Sequence, residues 1–252
     1  MEAQLSMETV VVIVVVLALG SFAKAVTGIG LPVFAVPIMA SMIGMERTVV
    51  IMVIPTVVSN GWLAWTFRSS ATLNRDLPIV LGTGFVGVAL GSWALASLND
   101  QVMFLILALW TWVYLILAVF KPELKMPMAL RRPLSPFVGV IAGIMQGATG
   151  VSGPVLVTYF HSLKIPKETY LFSVTLTFLV LASWQVFALV PLGLFTLSRM
   201  YEGLLALIPT VVMIPLGVRL ARVMSPRAFN NALLVVLFLT SLRLFQRGLF
   251  GG

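Results

Sequence analysis

Two short motifs in this chain combine glycine, proline and hydroxyl residues in a way suited to binding an anion. They are Thr27-Gly28-Ile29-Gly30-Leu31-Pro32 and Thr149-Gly150-Val151-Ser152-Gly153-Pro154, and each interrupts an apolar stretch. Glycine permits backbone conformations that other residues avoid, and proline favours the start of a helix. Such a break exposes the unpaired N–H groups and partial positive charge of the helix N-terminus that follows. We expect both motifs to offer backbone amides and hydroxyl groups to an anion.

The two motifs occupy matching places in two halves of the chain. They lie 122 positions apart (149 − 27), and the same offset relates Lys24 to Gln146 and Glu46 to Glu168. Helix breakers that recur at matching places inside apolar segments indicate the substrate site of a secondary transporter.

The candidate substrate-binding residues follow from these motifs and from the polar residues near them. The predicted set is Lys24, Thr27, Gly28, Gly30, Asn60, Gln146, Thr149, Gly150, Ser152 and Gly153. An intramembrane lysine costs about 2.5–3.5 kcal/mol on insertion scales, so Lys24 either contacts the substrate or extends to the membrane interface. Asn60 could instead bond a neighbouring helix. Glu46 and Glu168 are expected as acids in the first turns of helices, with coupling to an ion as the alternative.

The elements that must position these residues are membrane helices. The chain has 252 residues, of which 60% are hydrophobic and 10% charged, and its mean hydropathy is +1.09. Soluble domains carry roughly 25% charged residues. The sequence therefore predicts one all-α transmembrane unit, and the net charge of +8 is assigned to helix ends, where it sets orientation and meets lipid headgroups, rather than to nucleic acid. With one His and no Cys, a transition-metal site is not expected, and no cofactor is predicted.

Apolar runs and breakers divide the chain into two repeats of five segments each. The repeats span about 9–120 and 136–245, joined by a linker at about 121–135. The predicted segments are Thr9–Val26, Leu31–Ile43, Thr48–Phe67, Leu77–Ser97, Val102–Phe120, Pro136–Thr149, Pro154–Leu163, Thr169–Val190, Gly203–Val223 and Ala228–Phe245. The second segment of each repeat is shorter than the roughly 20 residues that cross a bilayer. It either spans a thinned region or forms a hairpin with the first segment.

The number of crossings predicts how the repeats are oriented. Five spans per half, or three if the first two segments form a hairpin, are both odd numbers, so the second half would enter from the opposite face. Only a first pair that makes a single crossing gives parallel repeats. The linker, with Lys121, Lys125, Arg131 and Arg132, is expected to be cytoplasmic. We therefore predict inverted repeats in the cell membrane, although Arg243 and Arg247 would then lie outside, against the positive-inside rule.

The second motif resembles a known family. Gly143, Gly147, Gly150 and Gly153-Pro154, followed by an apolar run to Tyr159, are similar to the glycine-rich turn and short helix of the sulfite exporter TauE/SafE family of membrane permeases. The first motif has a less dense glycine run. The resemblance covers nearly the whole chain and implies transport of sulfite, an organosulfonate or a related small anion.

Three classes of function are compatible with these features. The favoured one is a secondary transporter that moves a small anion by alternating access, with a proton or sodium ion as the coupling ion. An anion channel is the alternative. An intramembrane enzyme is disfavoured, because the sole His lies across a short helix from Ser152 and no HExxH motif occurs. No phosphate-binding loop of the G-x-x-x-x-G-K-[ST] type is present either. Direction of transport and oligomeric state are left open.

Overall fold

The computed structural model describes residues 7–27, 31–69, 75–120, 126–220 and 226–251, and these residues form ten α-helices. In chain order the helices are α1 Met7–Thr27, α2 Leu31–Ile43, α3 Met45–Thr66, α4 Leu77–Ser97, α5 Asp100–Phe120, α6 Met128–Thr149, α7 Gly153–Ser162, α8 Lys167–Leu189, α9 Leu197–Leu220 and α10 Pro226–Phe250. The predicted all-helical class is confirmed, and α2 and α4 coincide with the predicted segments.

Several predicted boundaries differ from the observed ones, and the start of α6 differs most; α9 also begins at Leu197 rather than Gly203, and α10 ends at Phe250 rather than Phe245. Helix α6 begins at Met128, eight residues before the predicted start, so its first turns occupy the end of the segment assigned to the linker. Pro133 and Pro136 lie inside this helix. A membrane helix tolerates proline because neighbouring helices and side chains satisfy the freed backbone groups, and the prolines were therefore a poor boundary signal here.

Seven of the helices in the described residues are long and apolar enough to cross a membrane: α1, α3, α4, α5, α8, α9 and α10. Helices α2 and α7 have 13 and 10 residues, which correspond to lengths of about 20 Å and about 15 Å. The hydrocarbon core of a bilayer is about 30 Å thick. The N-termini of α2 and α7 are therefore expected to lie inside the membrane.

Each short helix folds back along the helix that precedes it. A Cβ added at Gly20 of α1 would meet Leu31 and Ala35 of α2, at 3.0 and 3.3 Å. In the second half, the Arg131 Nη2 at the start of α6 donates to the carbonyl oxygen of Leu163, just after α7, at 2.7 Å. In both halves the short helix therefore packs on the helix that precedes it in the chain.

The closest helix packing joins the two halves of the chain through glycine. Helices α4 and α6 make backbone contact at Gly84, Gly87 and Gly91 of α4 and Gly139, Gly143 and Gly147 of α6. A Cβ at Gly87 would overlap the carbonyl oxygen of Val140, so the Gly87/Gly91 spacing serves close helix packing. Contacts advance together along both helices, so α4 and α6 run parallel.

The helix pairs that pack together are related by exchange of the two halves. The contact of α4 with α6 corresponds to that of α9 with α1, and the contact of α3 with α9 corresponds to that of α8 with α4. The equivalent helices α5 and α10 also pack on each other. Gln101 lies beside Gly251, Leu105 beside Gly248, and Trp112 donates to Ser241 at 2.9 Å. Positions rise on one helix as they fall on the other, so α5 and α10 are antiparallel.

A buried ion cluster joins α3 to α9. The Glu202 side chain is fully buried and accepts from Arg47 at 2.6 and 3.1 Å. Arg199, one turn earlier on α9, lies 3.1 Å from the same carboxylate. These two arginines offset the cost of burying the carboxylate. An isolated buried charge would have no such compensation.

Candidate functional site

The second helix break is built by a left-handed glycine. Gly150 ends α6 with φ 72°, and its N–H donates to the Gln146 carbonyl oxygen at 2.8 Å. Only glycine adopts this conformation without steric cost. The Thr149 hydroxyl donates to the Met145 carbonyl at 2.7 Å and accepts from the N–H of Val151 at 3.2 Å. The single proton of this hydroxyl is therefore engaged within the turn, and the predicted part of Thr149 in substrate binding stays a prediction.

The first break lies between α1, which ends at Thr27, and α2, which begins at Leu31. Gly28 and Gly30, together with the side chain of Thr27, lie outside the described residues. Their predicted part in substrate binding stays a prediction.

The first turn of α2 and the turn between α6 and α7 meet at one small cavity. Residues from α2, from that turn, from the start of α7, from α3 and from α8 line it: Pro32, Val33, Thr56, Asn60, Gly150, Val151, Ser152, Gly153 and Phe178. The space inside is about that of one water molecule. A larger anion would need the lining residues to move apart.

The first turns of α2 and α7 both face this cavity. Pro32 is the second residue of α2 and Pro154 the second of α7, and a proline in the first turn removes an N–H that has no helical acceptor in any case. The remaining first-turn N–H groups carry the positive end of each helix dipole. Two helix N-termini therefore converge on one space, which is the arrangement that favours an anion.

Lys24 lies beside this cavity and is buried, with 9% of its surface exposed. Its Nζ donates to the Ser59 Oγ at 3.0 Å and lies 3.5 Å from the Asn60 Oδ1. The Asn60 amide in turn donates to the Thr56 carbonyl at 2.8 Å. The ammonium bonds α3 and therefore does not extend to the membrane interface. The other alternative, contact with the substrate, stays a prediction. A positive charge therefore lies next to the cavity, and its two acceptors, Ser59 and Asn60, are both neutral.

The second half contributes amides where the first contributes the lysine. Gln146 donates to the Gln185 Oε1 at 3.0 Å and accepts from Ser152 at 2.8 Å, and Gln185 donates to the Gly147 carbonyl at 3.2 Å. This network joins α6, α8 and the break. Ser152 lines the cavity, but its hydroxyl proton is bonded to Gln146. The hydroxyl can donate to a ligand only if this hydrogen bond breaks.

The two predicted coupling acids do not line the cavity. Glu46 lies in the first turn of α3 and Glu168 in the first turn of α8, as expected for acids that complement the helix dipole. Glu168 is exposed and Glu46 is half-buried. A part for either in ion coupling stays a prediction.

Several residues at the site were not foreseen from the sequence. The Trp110 indole of α5 donates to the Val151 carbonyl at 2.6 Å and so supports the second break from outside its own half. Ser59, Thr56, Gln185 and Phe178 complete the cavity and its hydrogen bonds. The signal that could have found Ser59 and Gln185 is their polarity within otherwise apolar spans.

Several apolar spans, together with two short helices whose first turns converge on one cavity, are typical of polytopic membrane transporters. Residues 12–244 match the family model described as sulfite exporter TauE/SafE. The chain therefore belongs to this family of membrane permeases and is a multi-pass protein of the plasma membrane. No curated protein and no solved structure matches it.

Proposed function

We propose that this protein is a secondary transporter that moves a small oxyanion, sulfite or an organosulfonate, across the plasma membrane. The anion would bind between the N-termini of α2 and α7, with its charge balanced by Lys24. The observation that carries this proposal is the convergence of the first turns of α2 and α7 on one cavity, beside a buried lysine that has only neutral partners among the described residues. A buried ammonium without a carboxylate is most stable with an anion nearby.

The inverted arrangement of the repeats is part of this proposal. Equivalent helices α5 and α10 run antiparallel, and the contacts between helices keep their pattern when the halves are exchanged. Both features are typical of repeats related by an axis in the membrane plane. Alternating access then follows from small movements of the hairpins, which open the cavity first to one face and then to the other.

Purified protein in liposomes tests the substrate and the mechanism. Influx of labelled sulfite, a short alkylsulfonate, sulfate and acetate should be measured with and without proton and sodium gradients. We expect saturable sulfite or sulfonate flux that responds to one gradient and is accelerated by substrate on the opposite side. Flux that rises linearly with concentration would indicate a channel, and preference for acetate over both sulfur oxyanions would contradict the proposed substrate class.

The orientation of the repeats has its own test, which the absence of cysteine from the chain makes simple. Single cysteines replacing Asn99 and Lys164 should react with an impermeant thiol reagent from opposite faces of the membrane. Labelling of both from the same face would place the end of α7 beside the α4–α5 loop and contradict inverted repeats.

A further inference from the structure

A cleft opens on the outer surface of the helix bundle between α5, α6 and α7. Its volume is about 450 Å³, and nearly all of its lining is apolar. Trp110, Val113 and Leu117 form one wall, and Leu130, Leu134, Val138 and Ile141 on one face of α6 form the other, with α7 as the floor. The cleft is separate from the proposed anion cavity, although the Trp110 side chain contributes to both regions.

The length of the cleft corresponds to one leaflet of a bilayer. It extends from Ser162 to Pro154 along α7 and from Leu130 to Ile141 along α6, which is about 12 Å and about 16 Å of helix. Half of a hydrocarbon core is about 15 Å. A single acyl chain that enters at the end of α7 would therefore reach the level of the helix break.

The open end of the cleft is positively charged. Arg131, Arg132, Lys164 and Lys167 lie at the start of α6 and around the end of α7, against the acids Asp76 and Glu168. Arg132 and both lysines are exposed. The Nε of Arg131 is buried and has no hydrogen-bond partner among the described residues. Basic pockets between membrane helices on the cytoplasmic side typically bind phosphate headgroups.

The corresponding place in the first half is packed differently. There α10 packs along α2, with Leu237 and Leu244 fully buried in the core cluster that includes α2. The Arg247 Nη1 of α10 closes the end of α2 by donating to the Ser41 carbonyl at 2.8 Å. The contact of α5 with α7 at the corresponding place is much less extensive. Helix α10 therefore covers α2 in the first half, whereas in the second half α7 lines the cleft.

We propose that the cleft is a binding site for an anionic phospholipid, with one acyl chain between α5 and α6 and the phosphate at Arg131, Arg132 and Lys164. The chain length, the apolar walls and the basic end select this occupant over a zwitterionic lipid. The bound chain would pack on Pro154 and Val155, the first residues of the helix that opens the second break. This inference does not depend on the transported substrate.

Native mass spectrometry of the delipidated full chain tests the proposal. The protein is incubated with dioleoyl phosphatidylglycerol or dioleoyl phosphatidylcholine at equal concentrations, and retained lipid and melting temperature are recorded. We expect one phosphatidylglycerol to be retained in preference and to raise the melting temperature, since a ligand of the folded state stabilises it. Equal retention of the two lipids would overturn the proposal.

Two variants with matched controls locate the site. Arg132→Gln should weaken phosphatidylglycerol binding about fivefold, the effect of one basic residue at an anionic surface, while Arg68→Gln, in a different loop, should not. Leu134→Trp should fill the cleft and reduce retention of the lipid, while Val235→Trp on the exposed face of α10 should not. Val138→Phe replaces Leu134→Trp if the latter fails to fold.

Effects of these variants equal to those of their controls would overturn the proposal. A change of oligomeric mass in Leu134→Trp without loss of lipid would also overturn it, and would identify the cleft as a contact between copies of the chain. Transport is not needed for any of these measurements, so their failure is distinct from failure of the proposed function.

Discussion

The two halves of the molecule each bring a short helix, α2 or α7, to one cavity, but they surround the cavity with different side chains. The first half places the Lys24 ammonium against Ser59 and Asn60, whereas the second places the Gln146 amide, at the equivalent position, against Gln185 and Ser152. Two lysines facing one buried space would repel each other strongly at low dielectric constant. Both halves thus place a short helix at the cavity, but only the first adds a lysine beside it.

The same asymmetry recurs at the junction of α3 with α9 and its equivalent, the junction of α8 with α4. Arg47 binds the buried Glu202 in the first. At the equivalent position of the second stands Thr169, whose hydroxyl is buried without a partner among the described residues. A threonine cannot form an ion pair. The arginine ion pair therefore stabilises the junction of α3 with α9 and has no counterpart at position 169.

The largest expected effect comes from breaking that junction. Glu202→Gln should lower the free energy of unfolding by about 3–5 kcal/mol, because it leaves two arginines close together without their carboxylate. The matched change at the other junction, Thr169→Val, should be neutral or slightly stabilising, because it removes an unsatisfied hydroxyl. Thermal unfolding in detergent compares the two, and equal losses would mean that the junctions do not differ.

The next largest effect concerns the charge at the site. Lys24→Gln copies the second half into the first and should weaken anion affinity by about 10- to 100-fold, the value of a hydrogen bond to a charged group. Lys24→Arg should retain part of the affinity.

The double exchange Lys24→Gln with Gln146→Lys sharpens this comparison, since Ser152 and Gln185 could accept from an ammonium at position 146. Substrate titrations in liposomes measure all three variants. Unchanged affinity in Lys24→Gln would remove Lys24 from the site.

A smaller effect is expected from the glycine that turns the second hairpin. Gly150→Ala forces an alanine to φ 72° and should cost about 1–2 kcal/mol of stability, although an added Cβ there would find only ordinary contacts. Gly150→Asn should cost less, because asparagine tolerates this conformation better.

Gly150→Val tests transport rather than stability. It should abolish flux at normal membrane abundance, because the larger side chain blocks access to the backbone amides. Normal flux in that variant would show that the break is only a turn.

The smallest predicted effect tests the support that α5 gives to the second break. Trp110→Phe removes the bond to Val151 and should cost about 0.5–1.5 kcal/mol of stability together with a measurable loss of transport. Trp112→Phe removes a similar bond, to Ser241 of α10, and should cost stability with no effect on substrate affinity. Equal affinity losses in both variants would contradict a specific role for Trp110.

Much of the fold followed from the sequence, because the breakers are abrupt. The segments 31–43 and 77–97 were placed at their observed bounds. The start of α6 was misplaced, because proline and arginine resemble a linker when their neighbours in space are unknown. The Arg131 contact with Leu163 is an example, since its partner lies 32 positions away.

The candidate site divides in the same way between local and long-range features. Spacing pointed to the two motifs, to Lys24 and to Gln146, since each depends on local backbone chemistry or on an unusual polar residue. Partners such as Ser59, Gln185 and Trp110 depend on which helices become neighbours, and periodicity specifies a face without specifying what packs against it. The pairing of Arg47 with Glu202, 155 positions apart, is beyond any local pattern for the same reason.

The glycine contacts between α4 and α6 have a consequence for how the protein is made. Helix α4 is synthesised before α6, so its glycine face contacts lipid or earlier helices until the second half is translated. Since most of the extensive helix contacts cross between the halves, neither half completes its structure alone. Co-expressed fragments divided at the linker should therefore assemble in the membrane into an active protein, while each fragment alone should be degraded.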